Sequence, residues 1–132
     1  MNETRGEAEL LGLHDRFCSA FASRDAAAIL ATVTDRPDLV VVTSEDALLQ
    51  GPAQLEAFLD QYAAGPTTYS WSWDRREASV SEGFGLLLAV GKELAVSGDQ
   101  RVQTPYRMTV VAAPVDGAWA IVQVHGSSPH DA

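Results

Sequence analysis

Arg107, His125 and His14 are the residues whose type and setting best suit them to chemistry. Arg107 lies in Y-R-M-T-V-V-A-A and His125 in W-A-I-V-Q-V-H-G, two strand-like runs separated by Asp116-Gly117. If that dipeptide makes a two-residue hairpin turn, Arg107 faces Gly126 and Thr109 faces Val124. Cross-strand neighbours share a face, so Arg107, Thr109, Val111, Val122 and Val124 would line one side, with Ile121, Gln123 and His125 on the other. A buried arginine needs a partner, because an unpaired charge in apolar surroundings is costly. One reading makes Arg107 the anchor for a ligand carboxylate or enolate, gripped by the guanidinium fork. Others make it half of an internal salt bridge, with Asp15 as a candidate, or a solvent-facing charge at a cavity mouth. A three-residue turn would reverse the parity and turn His125 inward, where an imidazole could act as a general base.

His14 and Cys18 are four residues apart on a helical run and could share a ligand. Two groups do not close a metal site, and no HxH, CxxC or HExxH pattern accompanies them, so no metal is expected. Tyr69, Trp71 and Trp73 alternate with Ser70, Ser72 and Asp74, which puts an aromatic row on one strand face. Such a row is either sheet core or dimer interface, or a wall against a flat hydrophobic ligand. A Gly-rich phosphate loop, a GxSxG elbow and a basic patch with interleaved aromatics are all missing from the sequence, which removes support for nucleotide-cofactor, serine-hydrolase and nucleic-acid readings.

The elements that must position these side chains can be read from periodicity. Leu10, Leu13, Phe17 and Phe21 predict an amphipathic helix over about 7–22, and Ser23 or Asp25 can cap a second through D-A-A-A-I-L-A-T-V. D-L-V-V-V-T-S reads as a strand and A-L-L-Q as its return after a Glu45-Asp46 turn. Gly51-Pro52 opens a third helix, with Leu55, Phe58, Leu59 and Tyr62 on its buried stripe. Four long strands follow, broken at Ser81-Glu82-Gly83, Gly98-Asp99 and Asp116-Gly117. Helices first and antiparallel strands after predict an α+β fold.

The 132 residues are enough for a single domain with a real core at 46% hydrophobic composition. One cysteine excludes an internal disulfide. The start of the chain has no signal-peptide pattern, and no apolar run approaches the ~20 residues of a membrane span, so a cytoplasmic location is expected. Eighteen acidic residues against nine basic ones give a net charge of −9. That field makes nucleic acid and anionic membrane poor partners.

Three segments carry a resemblance to the NTF2-like superfamily, the cone-shaped fold of SnoaL-like cyclases and ketosteroid isomerase. F-A-S-R-D-A-A-A-I-L resembles the end of the family's first helix and the start of its second. L-L-Q-G-P-A-Q-L-E-A-F-L resembles its strand, glycine and third helix, and Y-R-M-T-V-V with D-G-A-W-A-I-V-Q-V-H-G-S-S-P its closing hairpin. The hairpin is also similar to that of the calmodulin-dependent kinase association domain. The resemblance implies three helices packed on a strongly curved antiparallel sheet, a cavity between them, and a homodimer through the outer sheet face. It puts the Arg107 side of the hairpin toward that cavity, together with Phe17, Phe58, Tyr62, Tyr69, Trp71, Trp73, Thr109 and Val124 as ligand-binding walls. The isomerase's own roles are not filled: Phe17 stands where its tyrosine would, Val42-Thr43 where its base would, and Arg107 near its protonated aspartate. The expected function is a cavity protein for a small hydrophobic molecule, carbonyl-bearing or anionic. Any chemistry would be a cofactor-free isomerisation, cyclisation or dehydration, with Arg107 as stabiliser and His125 or His14 as base. The alternative is a dimeric association or binding module without catalysis.

Overall fold

A computed structural model describes residues 2–44 and 47–129 of the protein. The Glu45-Asp46 turn and His130 lie outside the described residues. Three helices are formed, α1 (Asn2–Ala22), α2 (Ala26–Leu30) and α3 (Pro52–Ala64). Helix α1 starts earlier than its apolar stripe, and its polar first turns carry an Arg5–Glu9 pair at 3.1 Å, one turn apart. Leu10, Leu13, Phe17 and Ala20 make its buried stripe. Asp25, not Ser23, caps α2: its carboxylate accepts from the Ala28 amide at 3.0 Å. Pro52 occupies the first turn of α3, and Gly51 precedes it at φ 83, a conformation that glycine adopts without strain.

Six strands, β1 (Val40–Val42), β2 (Leu48–Gln50), β3 (Thr67–Ser81), β4 (Phe84–Ser97), β5 (Gln100–Val115) and β6 (Ala118–Ser127), form one sheet in the order β2-β1-β6-β5-β4-β3. The fold is α+β, with helices on one face of the sheet, and the sheet is not closed into a barrel. It is antiparallel except at β1, which runs parallel to β6. The long strands are joined by two-residue turns. Asp116 at φ 50 and Gly117 at φ 84 give the β5–β6 turn two successive left-handed residues, which match the twist of a tight hairpin. Among the described residues no helix is long and apolar enough to cross a membrane.

Two irregularities decide which side chains face inward. In β3 the register shifts between Trp73 and Arg75, so Asp74 is an extra residue. Gly91 lies opposite, where a Cβ would collide with the Ser72 carbonyl. In β6 the register shifts opposite Val111 and Ala112, leaving Val122 unpaired. On the other edge of β6, next to the bulge, Ile121 exchanges hydrogen bonds with the segment after α2, donating to Thr32 at 2.9 Å and accepting from Thr34 at 2.8 Å. The turn has the length expected, but this bulge reverses the parity beyond it. Arg107 therefore pairs with Ser127 and Thr109 with His125, and all four are exposed on the outer face. The inner face instead takes Tyr106, Met108, Val110, Ala112, Ile121 and Val124, all buried. The expectation that Arg107 and Thr109 face the cavity is thus corrected.

Candidate functional site

Between α1, α3 and the mouth end of the sheet lies a cavity lined by fourteen residues, six of them aromatic: Phe17, Phe21, Phe58, Tyr69, Trp71 and Tyr106. Its interior open to the centre of a water molecule is about 60 Å³, room for a few waters or a compact ligand group. Helix α1 supplies Phe17 and Phe21, α3 supplies Phe58, and β1 with the segment after it supplies Val41, Val42, Thr43 and Ser44. Among the described lining residues Glu93 is the one charged side chain, and it is only 8% exposed. It projects from β4 in line with the inward row Leu87, Ala89 and Gly91. The Trp71 indole N–H donates to its Oε2 at 3.2 Å, which holds the carboxylate against the cavity wall.

Tyr106 is the second polar group of the wall. It pairs with Gly91 while Glu93 pairs with Thr104, so the two side chains are diagonal neighbours on the inner face. The Tyr106 hydroxyl lies over Gly126, where any Cβ would overlap it. Gly126 therefore acts as the slot that receives the ring. Trp71 stacks on Trp73 at 6.3 Å and meets Tyr106 at 5.9 Å and Phe21 at 5.4 Å, so the aromatic lining is mutually braced.

The rim is tied from outside the cavity. The Tyr62 hydroxyl donates to the Phe21 carbonyl at 2.8 Å and accepts from the Tyr69 amide at 2.9 Å, joining α1 to β3. Burial pushes the Tyr62 phenol above its ordinary value, so it stays protonated and keeps donating. Arg24, at φ 57, donates to the carbonyls of Tyr62, Ala63 and Gly65 and satisfies the last turn of α3.

Of the residues expected in the site, Phe17, Phe58, Tyr69, Trp71 and Val124 line the cavity. Tyr62 and Trp73 stand behind it, and Arg107, Thr109 and His125 lie on the opposite face of the sheet. His14 is buried one layer deeper. Its Nε2 is 3.3 Å from the Met108 sulfur and 3.5 Å from the Cys18 sulfur, its Nδ1 is 3.3 Å from an Arg76 Nη1, and its ring is 5.4 Å from Trp73. Asp15, a candidate partner for Arg107, instead pairs with Arg76 at 2.7 Å. Burial first, and the Arg76 charge second, hold His14 down to about 4, so it is neutral at pH 7. Burial likewise pushes the Cys18 thiol up to about 12. No group of three or more His, Cys, Asp or Glu side chains among the described residues could hold a metal ion.

A family model for the SnoaL-like domain matches residues 11–131. The chain belongs to the SnoaL-like domain family. None of the curated proteins matches it significantly. A solved structure from Streptomyces avermitilis, named a candidate dehydratase of the NTF2-like family, superposes with a TM-score of 0.87 at 14% identity, covering 97% of this chain and 99% of that one. An NTF2-like superfamily protein from Salmonella enterica serovar Typhimurium gives 0.84 at 19% identity, covering 97% and 94%. A structure from Exiguobacterium sibiricum, named a candidate calcium/calmodulin-dependent kinase II association domain, gives 0.76 at 12% identity, covering 95% and 94%. At these identities the likeness establishes the NTF2-like fold of the SnoaL-like chain, and the chemistry must come from the site itself.

Two polar lining residues, Glu93 and Tyr106, were not among those expected from the sequence. Glu93 lies two residues past the run F-G-L-L-L-A-V-G, in a stretch that β4 continues to Ser97, and Tyr106 opens the run Y-R-M-T-V-V. The available signal was period two along β4, where Gly85, Leu87, Ala89 and Gly91 are small or apolar and the next residue of that row is a carboxylate.

Proposed function

We propose that this SnoaL-like chain is a single-domain small-molecule cavity protein in which Glu93 exchanges a proton with a mostly apolar ligand, in the service of a cofactor-free isomerisation, cyclisation or dehydration. One observation carries the reading: a buried carboxylate forms part of the wall of a mostly apolar, aromatic cavity. Such chemistry requires a shaped cavity, one proton-transfer group and hydrogen bonds that fix the ligand. Glu93 is the proton-transfer group in this account. Tyr106, held by Gly126, is a second hydrogen-bonding group, and Phe17, Phe58 and Val124 pack the ligand body. Because the lining carries a carboxylate, an anionic ligand is disfavoured and the Arg107 anchor is replaced. The dehydratase named among the similar folds is consistent with this class of reaction.

The outer face favours a second reading for the same molecule, self-association. Leu86, Leu88 and Val90 run along β4 on that face, with Leu86 45% exposed, beside Val111, Arg107 and Thr109. A homodimer through this face would cover the stripe, and the fold named as a kinase association domain is consistent with it.

The test is native mass spectrometry of the freshly purified protein, followed by denaturation to release any small molecule and an assay of turnover of the compound identified. Glu93→Gln keeps an acceptor for the Trp71 indole. It is expected to bind that compound with turnover reduced about a hundredfold or more. Unchanged turnover in the variant would refute the role of Glu93.

A further inference from the structure

Met108 is 2% exposed and projects from the inner face of β5, where it borders both the cavity and His14. Its cross-strand neighbours are Ala89 on β4 and Gly126 on β6. Across these three strands, at that level of the register, the methionine is therefore the one long side chain. Its sulfur stands 3.3 Å from the His14 Nε2, so the thioether fills the distance between the cavity and the imidazole. Methionine is unbranched and turns about several bonds, so it adapts to a neighbour's shape without giving up the space it fills. The interior it leaves open is small, about 60 Å³.

We infer that Met108 is the size-determining residue of the cavity: it fixes how far a ligand can extend toward α1, and His14 is the stop behind it. This inference rests on the cavity reading proposed above, adds the dimension of the ligand to it, and does not depend on the protonation of Glu93. Removing the γ-carbon, the sulfur and the terminal methyl would leave a void continuous with the cavity, because a packed interior relaxes only in part around a truncated side chain. A ligand that extends into that void buries more apolar surface and gains about fourfold in affinity for each methylene buried. In the wild type the same extension would have to displace the thioether from its place against the imidazole.

The experiment titrates the full chain, as wild type, Met108→Leu and Met108→Ala, with benzene, toluene, ethylbenzene, n-propylbenzene and n-butylbenzene. Binding is read from the tryptophan indole resonances in heteronuclear NMR, and approach to the far wall from the His14 imidazole resonance. In the wild type, affinity should rise by about fourfold per carbon up to a limiting chain length and then fall. Met108→Ala should move that limit by about two carbons or more. Met108→Leu keeps most of the bulk, serves if the alanine variant is too unstable to titrate, and should move it by about one. The compound at the new limit should shift the His14 resonance in the alanine variant and leave it unmoved in the wild type. Binding to the variants alone also supports the inference, since the wild-type limit then lies below benzene. The same limit in all three proteins, or no limit in any, overturns it and leaves the cavity reading intact. If none of the compounds moves an indole resonance in any of them, the cavity reading falls and this inference with it.

Discussion

Two buried titratable groups face inward from opposite walls of the same layer, and their surroundings differ. Glu93 on β4 faces a void ringed by side chains of α1, α3 and the sheet. His14 on α1 is 1% exposed and is fully occupied by Met108, Cys18, Arg76 and Trp73. Met108 is the partition, since it lines the cavity and also touches the imidazole. Burial is common to both groups, and only Glu93 has space in which a ligand could meet it. A buried ionisable residue marks a site when a cavity adjoins it, and otherwise marks a packed polar cluster whose effect is on stability.

The comparison can be broken or sharpened by measurement. The largest effect on folding should come from pH acting on His14. Its folded value of about 4 lies below the ordinary 6.5, so the unfolded chain takes the proton first. Stability from this group is complete above 6.5 and declines as pH falls toward 4, by ~3 kcal/mol in all. Thermal unfolding followed between those limits should show that slope, and His14→Gln should flatten it. A variant with the same slope would remove His14 as its source. Next comes Gly126→Ala, whose Cβ would drive the Tyr106 ring out of its slot at ~1–3 kcal/mol, lowering Tm and ligand affinity together. Arg107→Ala should change neither cavity binding nor monomer stability by more than ~0.5 kcal/mol, since its side chain stands on the outer face. A loss of ligand affinity in that variant would restore the anchor role.

The order of helices and strands, the turns between the long strands and four of the aromatic lining residues, Phe17, Phe58, Tyr69 and Trp71, were legible because each depends on local period and turn chemistry. Leu10, Leu13 and Phe17 mark their helix, and Asp116-Gly117 its hairpin, without reference to the rest of the chain. The face of Arg107 was not legible. A two-residue turn groups it with Val124, and Val122, an extra residue in β6, undoes that grouping: Thr109 stands beside the exposed His125, and the buried Val124 lies on the other face. A single bulge inverts every side chain on one side of it, so parity counted from a turn fails past such a point. Glu93 was missed for a different reason: next to Lys92 it looks like a solvated charge, and only the inward row from Gly85 to Gly91 distinguishes it.

The most direct measurement is a crystal structure of the protein pressurised with xenon, which fills accessible apolar voids irrespective of ligand identity. The account predicts xenon density among Phe17, Phe58, Met108 and Val124, within reach of Glu93, and none between His14 and Trp73. Density beside His14, or an empty space beside Glu93, would contradict the assignment of the two regions.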